Sequence, residues 1–195
     1  MDVLYVNACV RPTSRTKRIA DYLINKINVA HGNNLNIKEL RLTLEDLKPL
    51  TNLDLLTRMQ LAKKHDFSDA SFRYAREYTT ADIIVMAVPL WDMSFPAVFK
   101  TYIEHINVNG LAFKYDTDGK LLGLCKARQL FYVTTSGGPI FSESFGFGYI
   151  KALAQIYHGI ERITCIKTEG LDIVNANETE IIQQTLDSID HMEFT

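Results

Sequence analysis

Short apolar runs alternate along the chain with stretches whose apolar residues recur every three or four positions. Val3 to Ala8 is a β-prone run that stops at a polar loop. From Ser14 to about Ala30, Ile19, Leu23 and Ile27 share one helical face. Leu35 to Leu40 alternates apolar and polar residues and reads as a short strand. Leu42 to Asp66 carries the weakest pattern, with Thr51 or Asn52 placed to cap a short helix. The row Phe67, Ser71, Tyr74, Tyr78 and Ala81 predicts a helix. Ile83 to Val88 is wholly apolar and ends at Pro89, which suits a strand buried on both faces of a parallel sheet. Phe95, Val98, Phe99, Tyr102, Ile103 and Ile106 form an amphipathic stripe, with Ser94 as its cap and Pro96 in its first turn. Phe113 to Leu122 contains Asp118-Gly119, a hairpin signal. Leu130 to Thr134 reads as a strand broken by Ser136-Gly137-Gly138-Pro139. Tyr149, Ile150, Leu153 and Tyr157 mark a helix, Ile160 to Lys167 a last strand, and Ile182, Leu186 and Ile189 a closing helix.

Strands alternating with helices imply an α/β fold, a parallel sheet covered on both faces. Five strands in this pattern match the doubly wound order 2-1-3-4-5. Such sheets bind ligands beyond the carboxyl ends of the strands, where the order reverses between the first and third. That rule selects the loops after Ala8, Val88 and Val133.

Bulk properties narrow the class. A chain of 195 residues suits one core, so residues 1–195 read as a single domain. A formal net charge of -2 gives no electrostatic case for a nucleic-acid or membrane partner. The N-terminal MDVLYVNA reads as a strand rather than a signal peptide, and no apolar run approaches the ~20 residues of a spanning helix. Cys9, Cys125 and Cys165 are odd in number and lack CxxC spacing, so they read as buried free thiols, which fits a reducing cytoplasm. The five histidines show no metal-ligand spacing.

The three loops carry different chemistry. In Asn7-Ala8-Cys9-Val10-Arg11-Pro12-Thr13-Ser14-Arg15-Thr16-Lys17-Arg18 a helix begins, offering free N–H groups to an anion. Ser14 and Thr16 add hydroxyls. Arg11, Arg15, Lys17 and Arg18 are cations near a first turn, where they oppose the helix dipole and make sense beside a bound anion. The plainer alternative is that Thr13 or Ser14 is only an N-cap and the basic residues face water. The loop has no glycine, so neither a dinucleotide fingerprint nor a P-loop is present; a mononucleotide phosphate fits better. The second loop, Pro89-Leu90-Trp91-Asp92-Met93-Ser94, offers a planar apolar ligand Leu90, Met93 and the single tryptophan, Trp91. The third, Thr134-Thr135-Ser136-Gly137-Gly138, lets backbone approach a ligand closely or is simply a turn. A serine hydrolase built on Ser136 and His158 finds no GxSxG elbow.

Pro89-Leu90-Trp91-Asp92-Met93 resembles the Pro-Met-Tyr-Asn-Phe loop of the FMN-dependent NADH azoreductase and quinone reductase family. Thr134-Thr135-Ser136-Gly137-Gly138 resembles its Thr-Ser-Arg-Gly-Gly loop. Phe113-Lys114-Tyr115 with Gly119 and Gly123 resembles its hairpin, and Glu169-Gly170 its Glu-Gly after the last strand. The resemblance runs through most of the chain and implies a flavodoxin-like three-layer sandwich binding FMN. It implies that Ser14 and Thr16 bind the phosphate with Arg15 beside them. Pro89, Leu90, Trp91, Asp92 and Met93 would line the flavin ring, and Thr135, Ser136, Gly137 and Gly138 its pyrimidine side. The chain departs from the family at Ala8, where serine is frequent, at Asp92, which replaces asparagine, and at Ser136, which replaces an arginine of some members. The implied activity is transfer from NADH or NADPH to a small-molecule acceptor (a quinone, azo dye, nitroaromatic or free flavin) in a ping-pong cycle, by a homodimer. No catalytic acid or base is implied. The alternative is a one-electron carrier that docks to redox partners; such carriers are strongly acidic around the flavin, unlike this basic first loop.

Overall fold

In the computed structural model, which describes residues 1–194, the apolar runs become strands and the spaced rows become helices. Along the chain these are β1 (Asp2–Asn7), α1 (Arg15–Ala30), β2 (Asn36–Arg41), α2 (Asn52–Lys63), α3 (Arg73–Thr80), β3 (Ile83–Ala87) and α4 (Ala97–Ile106). There follow β4 (Phe113–Tyr115), β5 (Leu121–Gly123), β6 (Gln129–Thr135), α5 (Phe147–Leu153), β7 (Arg162–Thr168) and α6 (Glu178–Asp190). Five strands pair in parallel in the order β2-β1-β3-β6-β7, while β4 and β5 form a separate antiparallel hairpin. Without that hairpin the order is the expected 2-1-3-4-5.

Period-two alternation sends successive strand residues to opposite faces. Leu4, Val6, Ile84 and Met86 meet Tyr78, Phe99, Tyr102, Ile103 and Ile150 on the side of α3, α4 and α5. Val3, Tyr5, Ile83 and Val85 meet Ile19, Leu23, Ile27, Ile182, Leu186 and Ile189 on the side of α1 and α6. Every residue of β3 is buried, as its unbroken apolar run requires. The three cysteines are free.

Several boundaries differ from expectation for local reasons. The helix predicted from Phe67 begins only at Arg73. Asp66 and Asp69 accept hydrogen bonds from the amides of Ser68 and Ser71, side-chain turns that compete with helix. Phe67 instead packs edge-on against Phe72 in a small satellite core. Ser94 does not cap α4: Pro96 occupies the cap position, and the Ser94 hydroxyl donates to the Phe145 carbonyl at 2.6 Å. In the uncertain segment, Thr51 caps α2 in a reciprocal capping box with Asp54. The helix of Tyr149 to Tyr157 is α5 followed by a π-helical turn over Ala154–His158, ended by Gly159 at a φ of 71°.

Candidate functional site

The carboxyl ends of β1, β3 and β6 end side by side, so the three selected loops converge. Backbone bonds continue the ladder into them: Ala8 N–H donates to the Ala87 carbonyl at 2.9 Å, and Leu90 N–H to the Thr135 carbonyl at 3.1 Å. Between them opens a cleft of about 500 Å³. That volume falls within the ~300–1,000 Å³ usual for small-ligand sites.

Of the expected residues, Ser14, Arg15, Thr16, Pro89, Leu90, Trp91, Thr135 and Gly137 line this cleft. Asp92, Met93, Ser136 and Gly138 belong to the same loops but do not line it. Ser14 is the N-cap of α1, and its hydroxyl accepts from Lys17 N–H at 3.3 Å. The Arg15 and Thr16 amides that open the helix have no acceptor among the described residues, so they remain available to an anion. The Thr16 hydroxyl is buried and pairs with that of Thr135 at 2.6 Å, tying the first loop to the third.

Trp91 and Ser94 exchange backbone hydrogen bonds of 3.1 and 2.7 Å around Asp92 and Met93. Both central residues have positive φ, 51° and 67°. This is the primed two-residue turn that normally takes glycine or asparagine. It lifts Asp92 and Met93 to an exposed tip and leaves Trp91, 37% exposed, on the cleft wall.

The third loop is fixed from beneath. The Ser136 hydroxyl donates to the Gly138 carbonyl at 2.5 Å, and its amide to Thr168 at 2.9 Å. A Cβ on Gly137 would lie 2.3 Å from Asp172 Oδ2, so a side chain there would displace the Asp172 carboxylate from its pair with Arg15. The Glu169 carboxylate accepts from Ile140 N–H at 2.5 Å.

Val10, Arg11, Thr13, Asp172 and Glu178 also line the cleft. Arg11 and Thr13 belong to the loop the sequence singled out. Asp172 and Glu178 come from the segment after β7, past Glu169-Gly170, and were not singled out in the sequence. Arg15 donates to both oxygens of Asp172, at 2.8 and 3.2 Å, and to Glu178 at 3.2 Å. These bonds hold the Asp172 carboxyl below the ordinary carboxylate range. Lys17 pairs with Asp21 at 2.6 Å, so two of the four first-loop cations are already met by carboxylates.

No nucleophile–base pair forms on Ser136 and His158. His158 is buried, with Nδ1 2.8 Å from the Tyr78 hydroxyl and Nε2 2.9 Å from Asn107 Oδ1. Burial lowers its pKa to about 4.

An FMN-dependent NADH:quinone oxidoreductase of Clostridium beijerinckii is 31% identical over 189 residues, covering 95% of this chain and 94% of its own. FMN-dependent NADH:quinone oxidoreductase 2 of Clostridium acetobutylicum is 31% identical over 193 residues, with the same coverages of 95% and 94%. The azoreductase structure from Bacillus anthracis str. Sterne superposes with a TM-score of 0.83 at 24% identity, covering 97% of this chain and 96% of that one, and so shares the fold. Residues 1–192 match the family described by its flavodoxin-like fold. The chain belongs to that flavodoxin-like family, which includes these quinone oxidoreductases.

Proposed function

We propose that this protein is an FMN-dependent NAD(P)H oxidoreductase that reduces a small organic acceptor such as a quinone or azo compound. The observation that carries the reading is the single cleft in which three loops of complementary chemistry meet at the switch point. The FMN-dependent NADH:quinone oxidoreductases of the clostridia, to which the chain is similar over nearly its whole length, support it.

The residues present fit the cofactor. The open amides at the start of α1, with Ser14 and Thr16, suit the phosphate end, and Arg15 stands beside them, engaged by Asp172 and Glu178. Pro89, Leu90 and Trp91 suit the ring edge and face, with Thr135 and Gly137 at the pyrimidine side, while Asp92, Met93, Ser136 and Gly138 stand in the same loops outside the cleft lining. Gly137 leaves room for the Asp172 carboxylate beside the cleft, which a side chain there would displace. FMN, when bound, supplies the two-electron chemistry between nicotinamide and acceptor. The protein's own part is to orient, to exclude water and to leave one ring face open. The chain would act as a single domain over residues 1–195, in the cytoplasm, as a homodimer. Among the described residues no helix is long and apolar enough to cross a membrane. α2 exposes the apolar side chains Leu53, Leu56 and Met59, which is compatible with coverage by a second copy. A light-scattering mass near the 22.2 kDa of one chain would count against the dimer.

Trp91 is the only tryptophan and stands on the cleft wall, so its fluorescence reports occupancy. Saturable quenching on FMN titration is expected. Unchanged emission would remove the flavin reading.

A further inference from the structure

Four charged side chains line the cleft, and they are not equivalent. Arg15 is fully engaged: its fork meets both Asp172 oxygens, Glu178 and, at 3.3 Å, the Leu171 carbonyl. Asp172 is itself fixed, its amide donating to the Gly137 carbonyl at 2.8 Å and its carboxylate lying where a Gly137 Cβ would stand. Arg11, on the loop before α1, is exposed and has no hydrogen-bond or ion-pair partner among the described residues. Two arginines and two carboxylates leave the lining without net charge.

We propose that Arg11, rather than Arg15, meets the phosphate charge of the mononucleotide, and that Arg15 is a latch fastening α1 to the β7–α6 segment through Asp172. The inference rests on the proposed flavin site and deepens it. Turning Arg15 to the phosphate would break a two-pronged carboxylate pair and leave Asp172 and Glu178 unpaired beside a dianion, where like charges repel. Arg11 gives up no hydrogen bond or ion pair, only its longer-range attraction to Asp172, and its planar fork matches phosphate oxygens. The open amides of α1 supply the rest of the cradle.

Dissociation constants for FMN and for riboflavin, which lacks only the phosphate, isolate the phosphate contribution as their ratio. Quenching of Trp91 in the full-length protein reads both. In Arg11→Gln the preference for FMN should fall about three- to tenfold, with riboflavin binding unchanged, as expected for an exposed charge-assisted contact. Arg15→Gln should weaken both flavins alike and leave the ratio where it was. Asp172→Asn, which frees Arg15 and removes a negative charge, should raise the ratio. Should Arg15→Gln fail to fold, Asp172→Asn carries that arm. An unmoved ratio in Arg11→Gln, a fall in Arg15→Gln as large as that in Arg11→Gln, or a fall in Asp172→Asn would each overturn the inference while leaving FMN binding intact. A wild-type protein that binds neither flavin would overturn the proposed function and this inference with it.

Discussion

Asp92 and Met93 occupy backbone conformations that cost an L-residue roughly 1–2 kcal/mol each relative to glycine. Met93 is 51% exposed, so little packing holds it there. Met93→Gly should therefore raise unfolding free energy by about 0.5–1 kcal/mol, after the larger entropy of a glycine in the unfolded chain is subtracted. A denaturant titration checks this; a loss of stability would show that the Met93 side chain packs more than its exposure implies. His158 gives a second expectation. It remains neutral to about pH 4 in the fold, because burial disfavours its charge, against an ordinary 6.5. Between those values the unfolded chain binds the proton and the native chain does not, so stability falls as pH falls from 6.5 to 4. The loss attributable to this one group is about 3 kcal/mol. His158→Gln should flatten that part of the stability–pH profile, and an unchanged slope would sink the assignment.

At the scale of elements, period and punctuation made most of the fold legible. The apolar run at Ile83 to Val88 and the rows of α1, α4 and α6 settle their elements because core burial enforces the same period. Ser94 misled because a serine before a helical stripe looks like a cap; in the fold Pro96 takes that place and Ser94 closes the Trp91 turn. Phe67 misled because its apolar spacing hid the Asp66 and Asp69 side-chain turns. Arg15 and Asp172 lie 157 residues apart, a separation that no local pattern spans. The segment before α3 was least legible, since α2 fully buries only Arg58 and turns little apolar surface inward beyond Leu61. Arg58 instead docks the helix, donating to the His105 carbonyl at 2.8 Å with its guanidinium 5.4 Å from the Phe72 ring centroid. Arg58→Ala should cost about 2 kcal/mol, the order of a buried charged hydrogen bond plus its packing. Hydrogen exchange should quicken in α2 while α1 keeps its protection; unchanged exchange in α2 would mean that other contacts hold it.

For the whole molecule, the doubly wound sheet explains why the site lies where it does. The order β2-β1-β3-β6-β7 reverses direction between β1 and β3, opening a crevice that the first, second and third loops share. The first loop offers amides and a cation to an anion, the second an indole and apolar carbons to a flat ring, and the third a glycine to bring main chain close. The convergence of these loops was legible because each follows a strand end at the switch point. The acidic rim of Asp172 and Glu178 was not, because it is assembled from the segment after β7. The most direct measurement is the visible spectrum of the purified protein with FMN, followed by NADH addition without oxygen. A bound flavin spectrum that bleaches on NADH addition is the expected result. No bound flavin, or a bound flavin that stays oxidised with both NADH and NADPH, would contradict the assignment as an FMN-dependent NAD(P)H oxidoreductase.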